Sequence, residues 1–110
     1  MAFEVRFTKE ARDDLRELHA YISENDSREN ADYVAQGIVR AALELRDFPS
    51  RGTYPPELLR KGSRSFRQIF FKPYRILYRV RGNTVFIGVI ADGRRNLQSL
   101  LMRRLSGQNL

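Results

Sequence analysis

The chain has 110 residues, of which 42% are hydrophobic and 30% charged, and it carries a formal net charge of +7. That length suits one domain around one core, so residues 1–110 are expected to form a single domain. With no Cys and one His, disulfides, thiolate metal sites and imidazole clusters are excluded, and neither a metal nor a cofactor is expected. The opening MAFEVRFTKE has no charged-then-apolar leader, and no run approaches the roughly 18 apolar residues that span a bilayer, so a cytoplasmic protein without membrane contact is expected.

In chain order, Phe3 to Thr8 alternates as a strand, with Phe3, Val5 and Phe7 on one face and Glu4 and Arg6 on the other. Thr8 is placed to cap a helix from Lys9 to about Asn25, whose apolar stripe is Ala11, Leu15, Leu18 and Ile22. Asn25, Asp26 and Ser27 break that helix. Asp26 and Glu29 then have the spacing of a capping box opening a second helix to about Asp47. Its buried stripe is Ala31, Val34, Ile38, Ala42 and Leu45, and Gly37 and Ala41 are small enough to admit a neighbouring helix. Phe48-Pro49 ends the helix, and Gly52, Pro55, Pro56 and Gly62 mark a loop with room for a short turn around Glu57 to Leu59. Ser63 to Phe71, Tyr74 to Arg81 and Thr84 to Ala91 read as three strands of a mainly antiparallel sheet, joined by Lys72-Pro73 and Gly82-Asn83. A final helix from Arg94 to about Leu105 aligns Leu97, Leu100, Leu101 and Leu105, and residues 106–110 are expected to fray. The fold class is thus α+β: N-terminal strand, α-helical hairpin, three-stranded antiparallel meander and short C-terminal helix.

Charge divides the chain. Residues 1–50 carry seven Arg/Lys against eleven Asp/Glu, a net of −4, whereas residues 51–110 carry thirteen against two, a net of +11. Such a half builds a field that attracts phosphates or an acidic protein. On the strand Tyr74 to Arg81, alternation puts Tyr74, Ile76, Tyr78 and Val80 toward the helices and Arg75, Leu77, Arg79 and Arg81 on the opposite face. Positions on that face repeat about every 7 Å along the strand, close to the spacing of successive phosphates, and a guanidinium fork donates two hydrogen bonds at once to a phosphate or carboxylate. The other reading is a row of solvated residues, some paired with Glu4 or Asp92. Arg94 and Arg95 lie beside the same end of the sheet, one aimed at it or bonded to Asp92. Arg103 and Arg104 suit the helix dipole. Arg64 and Arg67, on opposite faces of their strand, do not both join the row, and His19 reads as a solvated surface residue. No paired carboxylates, nucleophile elbow, glycine-rich phosphate loop or zinc spacing is present, so the residues point to a binder more than a catalyst.

Five stretches in order, Phe7 to Leu15 (FTKEARDDL), Tyr21-Ile22, Phe48 to Gly52, Tyr74 to Val80 (YRILYRV) and Asp92 to Asn96 (DGRRN), make the whole chain resemble the ParE branch of the RelE/ParE toxins. The resemblance implies a toxin–antitoxin module, with a partly disordered cognate antitoxin, ParD-like and acidic, folding across the toxin. It also implies a target: DNA gyrase stalled on cleaved DNA for ParE-like members, or the ribosome with its mRNA, cleaved by an endonuclease, for RelE-like members. Arg75 matches a strand arginine of the ribonuclease branch and Arg94 or Arg95 a second one. The paired lysines and terminal Tyr or His of that branch are missing, with Phe66 to Phe70 holding only Arg67 and leucines at Leu100 and Leu101. The expected target-binding residues are therefore Arg75, Arg79, Arg81, Arg94 and Arg95. For the final helix, Leu97, Leu100, Leu101 and Leu105 form either the antitoxin's seat or a lid on the core.

Overall fold

The computed structural model describes residues 2–105, and the expected fraying of residues 106–110 lies outside them. Strand β1 (Glu4–Phe7) leads into α1 (Lys9–Asn25), where the Thr8 Oγ1 accepts from the Ala11 N–H at 3.1 Å. That bond satisfies one of the orphan donors at a helix start. Helix α2 (Arg28–Leu43) is capped differently from the expectation. Ser27, extended at φ −153° and ψ 155°, takes the Asn30 N–H at 2.9 Å, while Asp26 closes α1 through its own N–H to the Ile22 carbonyl. Two helices meet here within two linking residues, so Asp26 serves the first and only Ser27 is free to cap the second.

A 3-10 turn, Glu44–Arg46, tightens the end of the hairpin and still buries Leu45. After the short helix α3 (Pro56–Leu59) come β2 (Arg67–Phe71), β3 (Tyr74–Arg81), β4 (Thr84–Asp92) and α4 (Gln98–Leu105). β2 starts later than the predicted Ser63, because Ser63 donates its N–H back to the Leu58 carbonyl and its hydroxyl takes the Ser65 N–H. Likewise α4 starts at Gln98 and not at Arg94. The Asp92 carboxylate accepts from the Arg94 N–H and the Asn96 side chain from the Gln98 N–H, which makes the intervening residues a turn.

The sheet order is β1-β4-β3-β2, with β1 parallel to β4 and the other pairs antiparallel. Between Leu77 and Tyr78 the β3–β4 register slips by one residue, leaving Gly88 unpaired. A bulge of this kind puts two successive residues on one side. Ile87 and Ile90 face α1 and α2 with Tyr74, Ile76, Tyr78 and Val85, while Val89 and Ala91 face the opposite way. There they meet Leu58, Phe66, Leu77, Leu97, Leu101 and Leu105 in a second core.

The sheet is therefore covered on both faces for part of its length, which corrects the expectation of one open face. Val80, assigned to the helix-facing side, is 39% exposed because the strand outruns its cover. Gly37 makes room for a ring and not for a helix: a Cβ there would lie 2.2 Å from Phe71 Cζ. Among the described residues no helix is long and apolar enough to cross a membrane.

Candidate functional site

The second core decides which arginines reach solvent. Arg75 is only 7% exposed. Its Nη1 and Nη2 donate to the two Glu57 oxygens at 2.7 and 2.9 Å, and its Nε donates to Gln68 Oε1 at 2.8 Å. Gly93 lets the stem pass, since a Cβ there would come within 2.9 Å of Arg75 Cγ. The Arg75 hydrogen bonds hold the Glu57 carboxyl below its ordinary value, against the opposing effect of burial. The expected row of three solvated arginines is thus corrected: Leu77 is buried beneath α4, and Arg75 belongs to an internal ion pair.

At the other end of the same face, Arg79 and Arg81 line a cavity of about 130 Å³ with Thr8, Phe66, Phe86 and Gly88. The Arg79 guanidinium lies over the Phe66 ring, 5.4 Å from its centroid. Burial, then the neighbouring Arg81 charge, pushes Arg79 below the usual arginine value. Across the sheet Arg6, Phe86 and Arg79 stand in register on three adjacent strands. Arg6 pairs with Glu4 beside it, and both are exposed.

The remaining arginines have separate duties. Arg94 folds onto Asp92, with Nε and Nη2 at 2.9 and 2.7 Å from its oxygens, and that contact lowers the Asp92 pKa and raises the arginine's. Arg95 is exposed at the turn. Arg104, assigned to the helix dipole, instead binds both Asp14 oxygens and the Gly88 carbonyl. Arg64 and Arg67 converge after all, both over the Tyr54 ring at 5.9 and 4.6 Å, because Arg64 precedes the strand and is not bound by its alternation. His19 contacts Asp32 on α2 at 2.7 Å. Of the four final leucines, Leu97, Leu101 and Leu105 are buried in the second core and Leu100 is half-buried at its edge. Among the described residues no group of three or more His, Asp or Glu side chains is placed to hold a metal ion.

The sequence model of the ParE toxin of the type II toxin-antitoxin system parDE matches residues 5–97. This chain belongs to the ParE toxin family. No curated protein matches it. Among solved structures, the chromosomal ParDE system of P. aeruginosa superposes with a TM-score of 0.69 at 20% identity, over 83% of this chain and 96% of that one. The toxin-antitoxin complex RelBE2 of Mycobacterium tuberculosis gives 0.61 at 23%, over 84% and 92%. A mutant of the E. coli toxin RelE in the free state gives 0.65 at 15%, over the whole of both chains. At these identities the likeness shows a shared fold alone, the α+β order of strand, two helices, meander and final helix.

In this ParE-family toxin the sequence pointed to the basic strand but missed its partners. Glu57 is one of only two carboxylates in the basic half, and that isolation was the available signal. Phe86 and Arg6 carried none, because their meeting with Arg79 depends on strand order. The same holds for Asp14, which reaches Arg104 and the Ile90 N–H from a different element.

Proposed function

We propose that this toxin binds DNA gyrase and stalls it on cleaved DNA, using Arg79 and Arg81 at the open end of the sheet; Arg95 follows the other end of β4, where Asp92 pairs with Tyr74. Arg75 and Arg94 are held in ion pairs with Glu57 and Asp92 at that other end. The observation carrying this reading is the Arg75–Glu57 pair. The arginine aligned with the ribonuclease branch has both terminal nitrogens on an internal carboxylate, leaving it without the two-pronged grip on phosphate that its fork offers. The residues lining the Arg79–Arg81 cavity include no carboxylate and no histidine to move a proton. Binding therefore fits the site better than phosphodiester cleavage.

A cognate antitoxin is part of the proposal, as in the ParDE and RelBE2 systems whose toxins share this fold. An acidic, ParD-like partner suits a half-chain with a net charge of +11. On α4 such a partner meets Leu100 and Met102 at the edge of the second core, with Leu97, Leu101 and Leu105 beneath them.

The test is a supercoiling and cleavage assay with purified bacterial gyrase. Inhibited supercoiling with accumulated cleaved DNA is the expected result. Unimpaired gyrase at excess toxin, together with mRNA cut in a translating extract, would overturn it in favour of a ribosome-dependent endonuclease.

A further inference from the structure

We infer that the open end of the sheet is a platform for single-stranded DNA, on which Phe86 stacks an unpaired base while Arg79 and Arg81 hold the flanking phosphates. Three observations converge. First, Phe86 stands between two cations, in register with Arg6 on β1 and Arg79 on β3, so one transverse row reads arginine, aromatic, arginine. Second, Arg79 and Arg81 share a face of one strand and frame the cavity that Phe86 lines. Two residues along a strand rise about 7 Å, enough for two phosphates of one backbone. Third, Phe66 is 1% exposed beneath the Arg79 guanidinium, which fixes its direction from below.

The chemistry selects the ligand. Arginine forks recognise phosphate oxygens, and a half-buried phenyl ring offers a sequence-tolerant stacking surface, the combination that proteins use for unpaired strands. A duplex hides the faces of its bases in its own stack and leaves Phe86 without a partner. An acidic protein surface satisfies the arginines but makes no use of the ring between them. Choosing DNA over RNA rests on the gyrase reading above, since a cleaved DNA complex is where such a toxin meets unpaired ends.

The experiment uses the full chain and no gyrase, so its outcome is separate from that of the gyrase assay. Fluorescence anisotropy is recorded with a labelled DNA strand of about ten nucleotides, within the range covered by single-strand binding folds, with its duplex, and with RNA of the same sequence. Expected are at least about tenfold tighter binding of the single strand than of the duplex and about five- to hundredfold weaker binding by Phe86→Ala, from the worth of one base–aromatic stack. Phe86→Tyr is expected to retain the affinity. Replacing Arg79 and Arg81 together by Ala should flatten the dependence of log affinity on log salt by about 1.4, the contribution of two phosphate contacts on a single strand. Duplex bound as well as single strand, Phe86→Ala binding normally with an unchanged circular dichroism spectrum, or RNA bound more than about tenfold tighter than DNA would each overturn the assignment.

Discussion

Arg104 on α4 grips Asp14 on α1 across ninety residues of sequence, its two terminal nitrogens 2.8 and 3.1 Å from the two carboxylate oxygens. The same Asp14 accepts the Ile90 N–H at 3.0 Å, and the same guanidinium donates to the Gly88 carbonyl at 2.8 Å. The pair thus ties the final helix and the first helix to β4 at its bulge, where the ladder leaves backbone groups to be satisfied. With side chains 18% and 16% exposed, it is shielded from solvent.

Breaking that clasp should cost more than a surface pair. Asp14→Asn and Arg104→Gln are each expected to lower unfolding stability by about 2–3 kcal/mol, since each leaves a shielded charge without its partner. Urea denaturation of the singles and the double gives the coupling, and the double variant should lose less than the sum of the two. Additive losses would mean that the residues act independently.

The Glu57–Arg75 pair gives the fold an acid-sensitive component. Because Arg75 lowers the native Glu57 pKa, the carboxylate binds protons less readily when folded than when unfolded. Its stabilising contribution is complete above the ordinary value of 4.5 and is lost as the pH falls through the lowered native value. Glu57→Gln should cost about 2–3 kcal/mol at neutral pH and show a shallower stability loss below about pH 5 than the wild type. Parallel curves of urea midpoint against pH for the two proteins would contradict this.

Tyr78 anchors the loop after the helical hairpin. Its hydroxyl donates to the Pro49 carbonyl at 2.8 Å and accepts the Gly52 N–H at 2.9 Å, and burial raises its pKa. Tyr78→Phe strands both backbone groups, with an expected loss of about 1–3 kcal/mol. Gly52→Ala should destabilise to a similar degree, because the added Cβ would lie 2.7 Å from both Gln68 O and the Tyr78 hydroxyl. Thermal melts of the two variants provide the comparison, and an unshifted Tm in either would remove the proposed anchor.

Arginines in the same strand should separate by role. Replacing Arg79 and Arg81 together by Ala is expected to abolish growth arrest on expression while moving Tm by no more than a few degrees. Arg75→Ala, which leaves Glu57 buried without its cation, should lower Tm by several degrees, with any loss of toxicity following the loss of folded protein. Full toxicity in a folded Arg79/Arg81 double variant would exclude the open end of the sheet as the target surface.

Local chemistry determined what the sequence could determine alone. Thr8 was marked as a cap by a hydroxyl next to an apolar repeat, and the α1, α2 and β3 core faces followed from periods set by backbone geometry. Gly82, at φ +60°, was legible as a turn because glycine adopts that conformation without strain. The five motifs identified the family.

Tertiary structure decided the rest, where outcomes depended on which distant element arrived. Arg75, Arg79 and Arg81 are equivalent by alternation, yet α4 and α3 cover one end of the sheet and not the other, so Arg75 is buried on Glu57 while Arg79 and Arg81 stay at the open end. Leu97, Leu101 and Leu105 became core residues for the same reason. Nothing local to Phe86 could place it between Arg6 and Arg79, because that arrangement requires β1 to run parallel beside β4. Pattern fixes the face a side chain takes, whereas burial and ion pairing depend on what packs against that face, and contacts distant in sequence supply that.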